Sequence, residues 1–278
     1  MCVTRVMLIF GRRCPLQHLW LSRAPNQELL RNGRTRLGNL TLFENQVDLW
    51  RIDLAGQEHG IHRCRCLLSK DEIQRADQFY FERHRQRFTV ARAAMREILG
   101  WYTDAAPQKL VFSYGTKGKP ELSGQPEECG IRFNLSHSDE VALLAVARSL
   151  TLGIDIELVN PEVATEEIAE RFFSASEVDI LRALPPAERA EAFFSCWTRK
   201  EAYIKALGEG LSVPLDSFEV AFGPGMAAAL LDVRVDPGEL KRWSMYDIEV
   251  AQGYKAALVV EGKGHELCHL PWKSEILC

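Results

Sequence analysis

Gly153-Ile154-Asp155-Ile156-Glu157-Leu158 reads as a strand, and the residues after it spell out the rest of a folding unit. Ser174-Ala175-Ser176-Glu177 has the capping-box pattern, in which the serine starts a helix and the glutamate reaches back to it. Pro185-Pro186 makes a turn, and a long helix over about 187–207 stops at Gly208. The same plan stands earlier in the chain. Gln46 to Leu54 is a strand with partial alternation, and Ser69-Lys70-Asp71-Glu72 is a second capping box, followed at helical spacing by Ile73, Ala76, Phe79 and Tyr80. A further helix over about 83–99 carries Phe88, Ala91, Met95 and Leu99 on one face and is expected to stop at Gly100. Strand, capped helix, second helix and glycine stop, twice in that order, point to tandem duplication. The predicted fold class is α+β: two similar α/β halves related by a pseudo-two-fold, with the cleft between them as the natural site.

The chain has 278 residues, enough to bury a sizeable core, and its 46% apolar and 26% charged residues are a globular composition. The net charge of −4 gives no basic field for nucleic acid. The sequence holds no apolar run near the length of a membrane span, and the short run before Gly11-Arg12-Arg13 is no signal peptide. A soluble, cytoplasmic protein that binds neither nucleic acid nor membrane is the expectation. Residues 1–45 hold Arg5, Arg12, Arg13, Arg23, Arg31, Arg34 and Arg36 against Glu28 and Glu44, with no clean period. They read as an N-terminal extension, poorly ordered or loosely packed. The first half is placed at 46–150, the second at 151–265, and a tail at 266–278. The cysteines (Cys2, Cys14, Cys64, Cys66, Cys129, Cys196, Cys268 and Cys278) are scattered without zinc-ligand spacing, and free thiols are expected. Charge divides unevenly: His62 to Arg96 has nine Lys/Arg against four Asp/Glu, whereas Pro161 to Glu191 has three Arg against eight. A basic first half suits a small anionic ligand, although a solvated helix face would look the same.

Asp155 and Glu157 are two apart on a strand and project together. Two neighbouring carboxylates repel unless a positive group holds them, and a hard cation such as Mg²⁺ is the usual answer; the alternative is an exposed edge pair in water. In the long helix, Phe193, Trp197, Ile204 and Leu207 share an apolar stripe, with Glu201 at its border and Lys205 one turn on. Those two are either site residues or a simple i,i+4 ion pair. Lys200 lies nearer the stripe's centre, where it either snorkels or pairs with a buried acid. Tyr114-Gly115-Thr116-Lys117-Gly118-Lys119-Pro120 offers glycines for close backbone approach and lysines for phosphate, a weak signal alone. Phe133-Asn134-Leu135-Ser136-His137-Ser138 brings Ser136 and His137, which could bind an anion. Adjacent strand residues point apart and no nucleophile elbow surrounds them, which argues against a serine hydrolase.

Taken together, YGTKGKP (114–120), FNLSHS (133–138), GIDIE (153–157), RFFSASE (171–177), WTRKEAYIK (197–205) and GLSVPLDSF (210–218) resemble, in order, the surfactin-synthetase-type 4′-phosphopantetheinyl transferases over about residues 46–260. The resemblance implies that family's fold of two similar halves. It implies transfer of the 4′-phosphopantetheine arm of coenzyme A (CoA) to a serine of an apo acyl or peptidyl carrier protein, with adenosine 3′,5′-bisphosphate released. By the same resemblance Asp155, Glu157 and Glu201 match Mg²⁺ ligands, and Lys205 matches a lysine on the pyrophosphate. His137 matches a histidine near the phosphates, and Ser136 a neighbour of the 3′-phosphate. Lys119 and Pro120 match the segment beside the adenine nucleotide, Arg87 an arginine for the 3′-phosphate, and Arg75 a basic helper. Glu72 departs from the pattern, standing where some members have a lysine. Glu201, directly or through a metal-bound water, is the candidate base. The carrier is expected near the loop after Glu157 and the segment after Gly208, and a monomer suffices because one chain forms the cleft. Three other readings stay open: a CoA- or carrier-binding protein without turnover, another Mg²⁺-dependent phosphotransferase, and a structural protein with surface charges.

Overall fold

A computed structural model of the chain describes residues 40–56, 60–115, 117–124, 130–208 and 212–273. The first half runs β1 (Gln46–Asp53), α1 (Ile61–Arg65), α2 (Lys70–Asp77), α3 (Glu82–Thr103), β2 (Phe112–Tyr114), β3 (Pro120–Leu122), β4 (Ile131–Ser138) and β5 (Val141–Arg148). The second runs β6 (Leu152–Leu158), α4 (Glu166–Phe172), α5 (Ala175–Ala183), α6 (Pro186–Leu207), β7 (Phe218–Val220), β8 (Leu230–Val233), α7 (Glu239–Arg242), β9 (Trp243–Asp247) and β10 (Tyr254–Glu261). A last strand, β11 (Glu266–Pro271), follows. Each half therefore has a leading strand, short helices, a 22-residue helix, a two-stranded ribbon and a returning pair of strands.

The strands form two main sheets, ordered β11-β1-β5-β4 and β6-β10-β9. Alternation along each leading strand sorts its side chains into layers. Trp50 and Ile52 pack with Val90, Ala94 and Ile98 of α3, while Val47 and Leu49 join Ile154, Ile156 and Leu258 between the sheets. On the far side, Ala257 and Val259 meet Phe193, Tyr203 and Ile204 of α6. The result is helix, sheet, sheet, helix, with each long helix flanked in turn by shorter elements of its own half.

Both capping boxes form, and each does a second job. Glu72 accepts from the Ser69 backbone N–H at 3.0 Å and from Arg96 Nε at 2.6 Å. Glu177 accepts from the Ser174 N–H at 2.9 Å and pairs with Lys200 Nζ at 2.7 Å. So the glutamate that starts the shorter helix also pins the long one. The two alternatives for Lys200 resolve to a buried ion pair. Its ammonium also donates to the carbonyls of Leu215 and Phe218, so each of its three N–H groups has an acceptor.

Three boundaries differ from the sequence expectation. Residues 1–39 of the expected extension lie outside the described residues, but Leu40 and Leu42 are buried in the first core, and Leu40 N–H donates to the Trp101 carbonyl at 3.1 Å. The expected tail at 266–278 begins as β11, paired in parallel with β1, and Trp272 is buried with its Nε1 donating to Glu97 at 2.8 Å. Gly100 does not stop α3. The helix runs on to Thr103 and ends at Asp104 in the left-handed region (φ 50°). Gly100 is needed for space: a Cβ there would lie 2.7 Å from the Ala105 carbonyl. Gly208 does end α6, at φ 75°. Among the described residues the cysteines, Cys64, Cys66, Cys196 and Cys268, are free thiols. No helix among the described residues is long and apolar enough to cross a membrane.

Candidate active site

Asp155 and Glu157 sit where β6 meets α6, and a glycine makes that meeting close. A Cβ at Gly153 would fall onto the backbone of Ala202 and Ala206. Without it β6 lies directly on the helix, and the carboxylates that follow are carried to the side of α6 that bears Glu201 and Lys205. Lys205 Nζ reaches Asp155 Oδ1 at 2.6 Å.

The other wall comes from β4. Its alternate residues Asn134, Ser136 and Ser138 stitch the two halves together along β6. Asn134 Oδ1 accepts the Ile154 N–H at 2.8 Å. Ser136 Oγ donates to Asp155 Oδ1 at 2.9 Å and accepts from Lys205 Nζ at 2.9 Å. Ser138 Oγ accepts the Leu158 N–H at 3.0 Å and donates to Glu157 Oε2 at 2.8 Å. His137 points the opposite way along the strand and stands at the exposed rim. Leu135, Ser136, His137, Asp155, Glu157, Trp197, Glu201 and Lys205 line one cavity of about 420 Å³.

The electrostatics of this cavity are those of negative charge held in excess. Burial raises the Glu157 pKa, and the Asp155 charge raises it further against the hydrogen bond from Ser138. Burial likewise raises Glu201, reinforced by Asp155 and Glu157 against the pull of Lys205. Asp155 Oδ2 is buried and has no hydrogen-bond partner. His137 is held below its ordinary 6.5 by close packing and by the charges of Lys205, Arg87 and Arg75. Its imidazole is therefore neutral at neutral pH.

Three carboxylates on one cavity, one with a bare buried oxygen, are an oxygen donor set of the kind Mg²⁺ takes. Among the described residues no three such side chains are already drawn into metal-coordinating positions, and Lys205 serves Asp155 as counter-ion. Asp155, Glu157 and Glu201 suit the ion by donor chemistry, and all three line the one cavity.

The expected nucleotide contacts are spread over the first half. Arg87 lines an adjoining apolar cleft of about 650 Å³ that shares His137, Glu157 and Trp197 with the site. Its guanidinium meets Asp139 at 2.7 Å. Arg75 is exposed, with its guanidinium 5.6 Å from the centre of the Phe88 ring. Pro120 pairs with Tyr114 across the β2–β3 ribbon. Lys119 turns inward and donates to the carbonyls of Leu152 and Lys205. Glu72, the departure from the family pattern, points into the core. Burial opposes its charge, but Arg92, Arg96 and the Ser69 N–H overcome that and hold its pKa below the ordinary value. Thr116 and residues 209–211, part of two quoted motifs, lie outside the described residues.

Asn134 and Ser138 had no role assigned from sequence. The signal was present for Ser138, which is two residues from Ser136 and so on the same strand face. A larger cleft, about 980 Å³, opens elsewhere and holds none of the expected residues. The buried Arg199 on its wall is already paired with Asp247 at 2.6 Å, so size does not choose the site.

Comparison with known proteins finds matches along both halves of the chain. Residues 151–259 match the 4′-phosphopantetheinyl transferase superfamily, and residues 56–149 match the family described as 4′-phosphopantetheinyl transferase, N-terminal. The chain is 39% identical over 249 residues to the 4′-phosphopantetheinyl transferase HetI of Nostoc sp., covering 90% of this chain and 96% of that one. It is 32% identical over 192 residues to the transferase Sfp of Bacillus subtilis, covering 69% and 81%. A solved holo-[acyl-carrier-protein] synthase of Thermotoga maritima shares 28% identity over 41% of this chain and 64% of its own, with a TM-score of 0.34, so kinship rests on the sequence relatives.

Proposed function

The chain belongs to the 4′-phosphopantetheinyl transferase superfamily, and from that membership we propose that it moves the phosphopantetheine arm of CoA onto a serine of an apo acyl or peptidyl carrier protein. The observation that carries the reading is the convergence of Asp155, Glu157, Glu201 and Lys205 of the second half with Ser136 and His137 of the first on one cavity. An acidic triad beside a lysine suits a diphosphate and its counter-ion.

In this reading Asp155, Glu157 and Glu201 would hold Mg²⁺, which would supply positive charge against the diphosphate. Lys205 adds a positive charge at the same place, and neutral His137 donates a hydrogen bond to a phosphate oxygen at the rim. The carrier serine Oγ forms a bond to the β-phosphorus, and the bond from that phosphorus to the bridging oxygen breaks. Adenosine 3′,5′-bisphosphate leaves with the bridging oxygen. The serine proton passes to Glu201, directly or through a water, from the wall of the same cavity. Arg75, Arg87 and Pro120 belong to the nucleotide side, and Lys119 stands beside them with its ammonium turned into the protein. The apolar cleft beside the site, with Leu158, Val163 and Ile168 on its wall, suits the docked carrier. One chain supplies both walls, which suits a monomer as the working unit, and the cytoplasm stays the compartment of this reading.

Intact-protein mass spectrometry of an apo carrier incubated with the protein, CoA and Mg²⁺ tests this. A gain of one phosphopantetheine arm that disappears without Mg²⁺ is expected. No gain on several unrelated carriers, with CoA binding intact, would replace transfer with a binding function.

A further inference from the structure

The loop between β2 and β3 is tightly closed. Gly115 N–H donates to the Lys119 carbonyl at 3.0 Å and Gly118 N–H to the Gly115 carbonyl at 2.9 Å, with Gly118 at φ +80°. Gly115, Lys117 and Gly118 are exposed, whereas the Lys119 side chain runs back into the protein. Its ammonium donates to the Leu152 carbonyl at 2.9 Å and to the Lys205 carbonyl at 2.7 Å.

Neither acceptor is incidental. Leu152 opens β6, the strand that carries Asp155 and Glu157. Lys205 lies in the last turn of α6, where carbonyls have no donor from their own helix. The amine thus satisfies an end the helix cannot, and its charge faces the negative pole of the helix dipole. Burial pushes the Lys119 pKa down to about 8, so placing a charge here is costly and the two carbonyls offset that cost. Two of the three ammonium N–H groups are therefore engaged within the protein.

We propose that Lys119 is a positioning residue for the transfer. Its ammonium locks the backbone of Lys205 and the start of β6 to the β2–β3 loop, so that it acts through Lys205 and Asp155. This rests on the transferase reading. A displaced α6 terminus would move Lys205 Nζ off Asp155 and Ser136, to which it is bonded at 2.6 and 2.9 Å. Misplacement of that size is felt in the chemical step, not in ground-state affinity.

The experiment compares wild type, Lys119→Met and Lys119→Arg by steady-state transfer and by hydrogen exchange of the ligand-free proteins. Lys119→Met should lower kcat about tenfold to a hundredfold while KM for CoA stays within about twofold. Amides of the last turn of α6 and the first residues of β6 should exchange faster, and Lys119→Arg should recover part of the lost kcat. A raised KM with unchanged kcat would overturn the proposal in favour of a direct ligand contact. Unchanged exchange in Lys119→Met would overturn it whatever the kinetics. Because exchange needs neither CoA nor carrier, the two readings fail separately. A wild type that transfers nothing, beside a Lys119→Met protein loosened at both segments, overturns the reaction and supports the strut.

Discussion

Laid end to end, the two 22-residue helices put Arg96 on Lys200, Glu97 on Glu201 and Trp101 on Lys205. Aligning the leading strands on their first pairs, Asp53 with Val141 and Leu158 with Tyr254, puts Ile52 on Glu157, Trp50 on Asp155 and Asp48 on Gly153. The halves share a scaffold and differ in what fills one place on it. In the second half three carboxylates and a lysine surround a cavity. In the first, Trp50, Ile52 and Trp101 pack, with the two indole rings 5.4 Å apart, and Glu97 is tied to Trp272. A glutamate on the long helix is common to both. Its neighbours on the strand decide whether it is a structural acceptor or a site residue.

The sharpest way to break this comparison is to change the paired glutamates. Glu201→Gln should lower transfer by about 10²–10⁴-fold with an unchanged melting temperature. Glu97→Gln should leave transfer within about twofold and cost about 1–3 kcal/mol of stability, since it weakens a buried charged acceptor. Transfer rates beside urea unfolding curves check both. Equal loss of transfer in the two variants would end the division of labour.

The second test concerns the buried ion pairs that anchor each long helix. Glu177 has Lys200 as its buried cation, whereas Glu72 holds both Arg92 and Arg96. Lys200→Met strands a buried carboxylate and should cost about 3–5 kcal/mol in urea unfolding. Arg92→Met leaves Glu72 its bond to Arg96 and should cost less, about 1.5–3 kcal/mol.

The equivalence of the halves was legible because it is local. A capping box, a helical period and a glycine stop each span a few residues, and both boxes and both 22-residue helices are present. GIDIE and WTRKEAYIK likewise placed the carboxylates and Lys205. What could not be read depends on contacts distant in sequence. The pairing of Gln46 with Glu266 has no local signature, which is why β11 reads as a tail. Lys200 showed only that it lay near the centre of an apolar stripe; its partner Glu177 lay on another helix already explained as a cap. Gly100 matched a stop signal, but its reason is the carbonyl of Ala105 across a turn.

A smaller effect should come from the seam between the halves. Ser138→Ala removes the donor to Glu157, and loss of such a supporting bond typically costs about 10–100-fold in metal affinity or activity. The Mg²⁺ dependence of transfer and Mg²⁺ binding to the ligand-free protein both report it. The opposite seam, where Arg51 reaches the Val250 carbonyl at 3.2 Å, supports no carboxylate of the site, and Arg51→Ala should leave the Mg²⁺ dependence unchanged.

The smallest expected change is in the His137 titration. Partial loss of hydration at the rim, then Lys205, Arg87 and Arg75, hold its pKa below 6.5, so Lys205→Met should move it upward. NMR titration of the imidazole measures the shift, and a value that does not move would separate His137 electrostatically from the lysine.

The place of β11 also bears on how the protein is made. A ribosome delivers β1, α3, β4 and β5 long before it delivers Glu266 to Pro271, yet β11 is the strand that covers the outer edge of β1. While the second half is being synthesised, that edge lacks its only strand partner among the described residues, and an unpaired edge is the feature by which sheets recruit foreign strands. Trp272, arriving after the strand, closes over Glu97 and ends the exposure. The part of the molecule that starts first is thus the last to be finished, and a nascent chain halted before residue 266 would carry an unguarded β1.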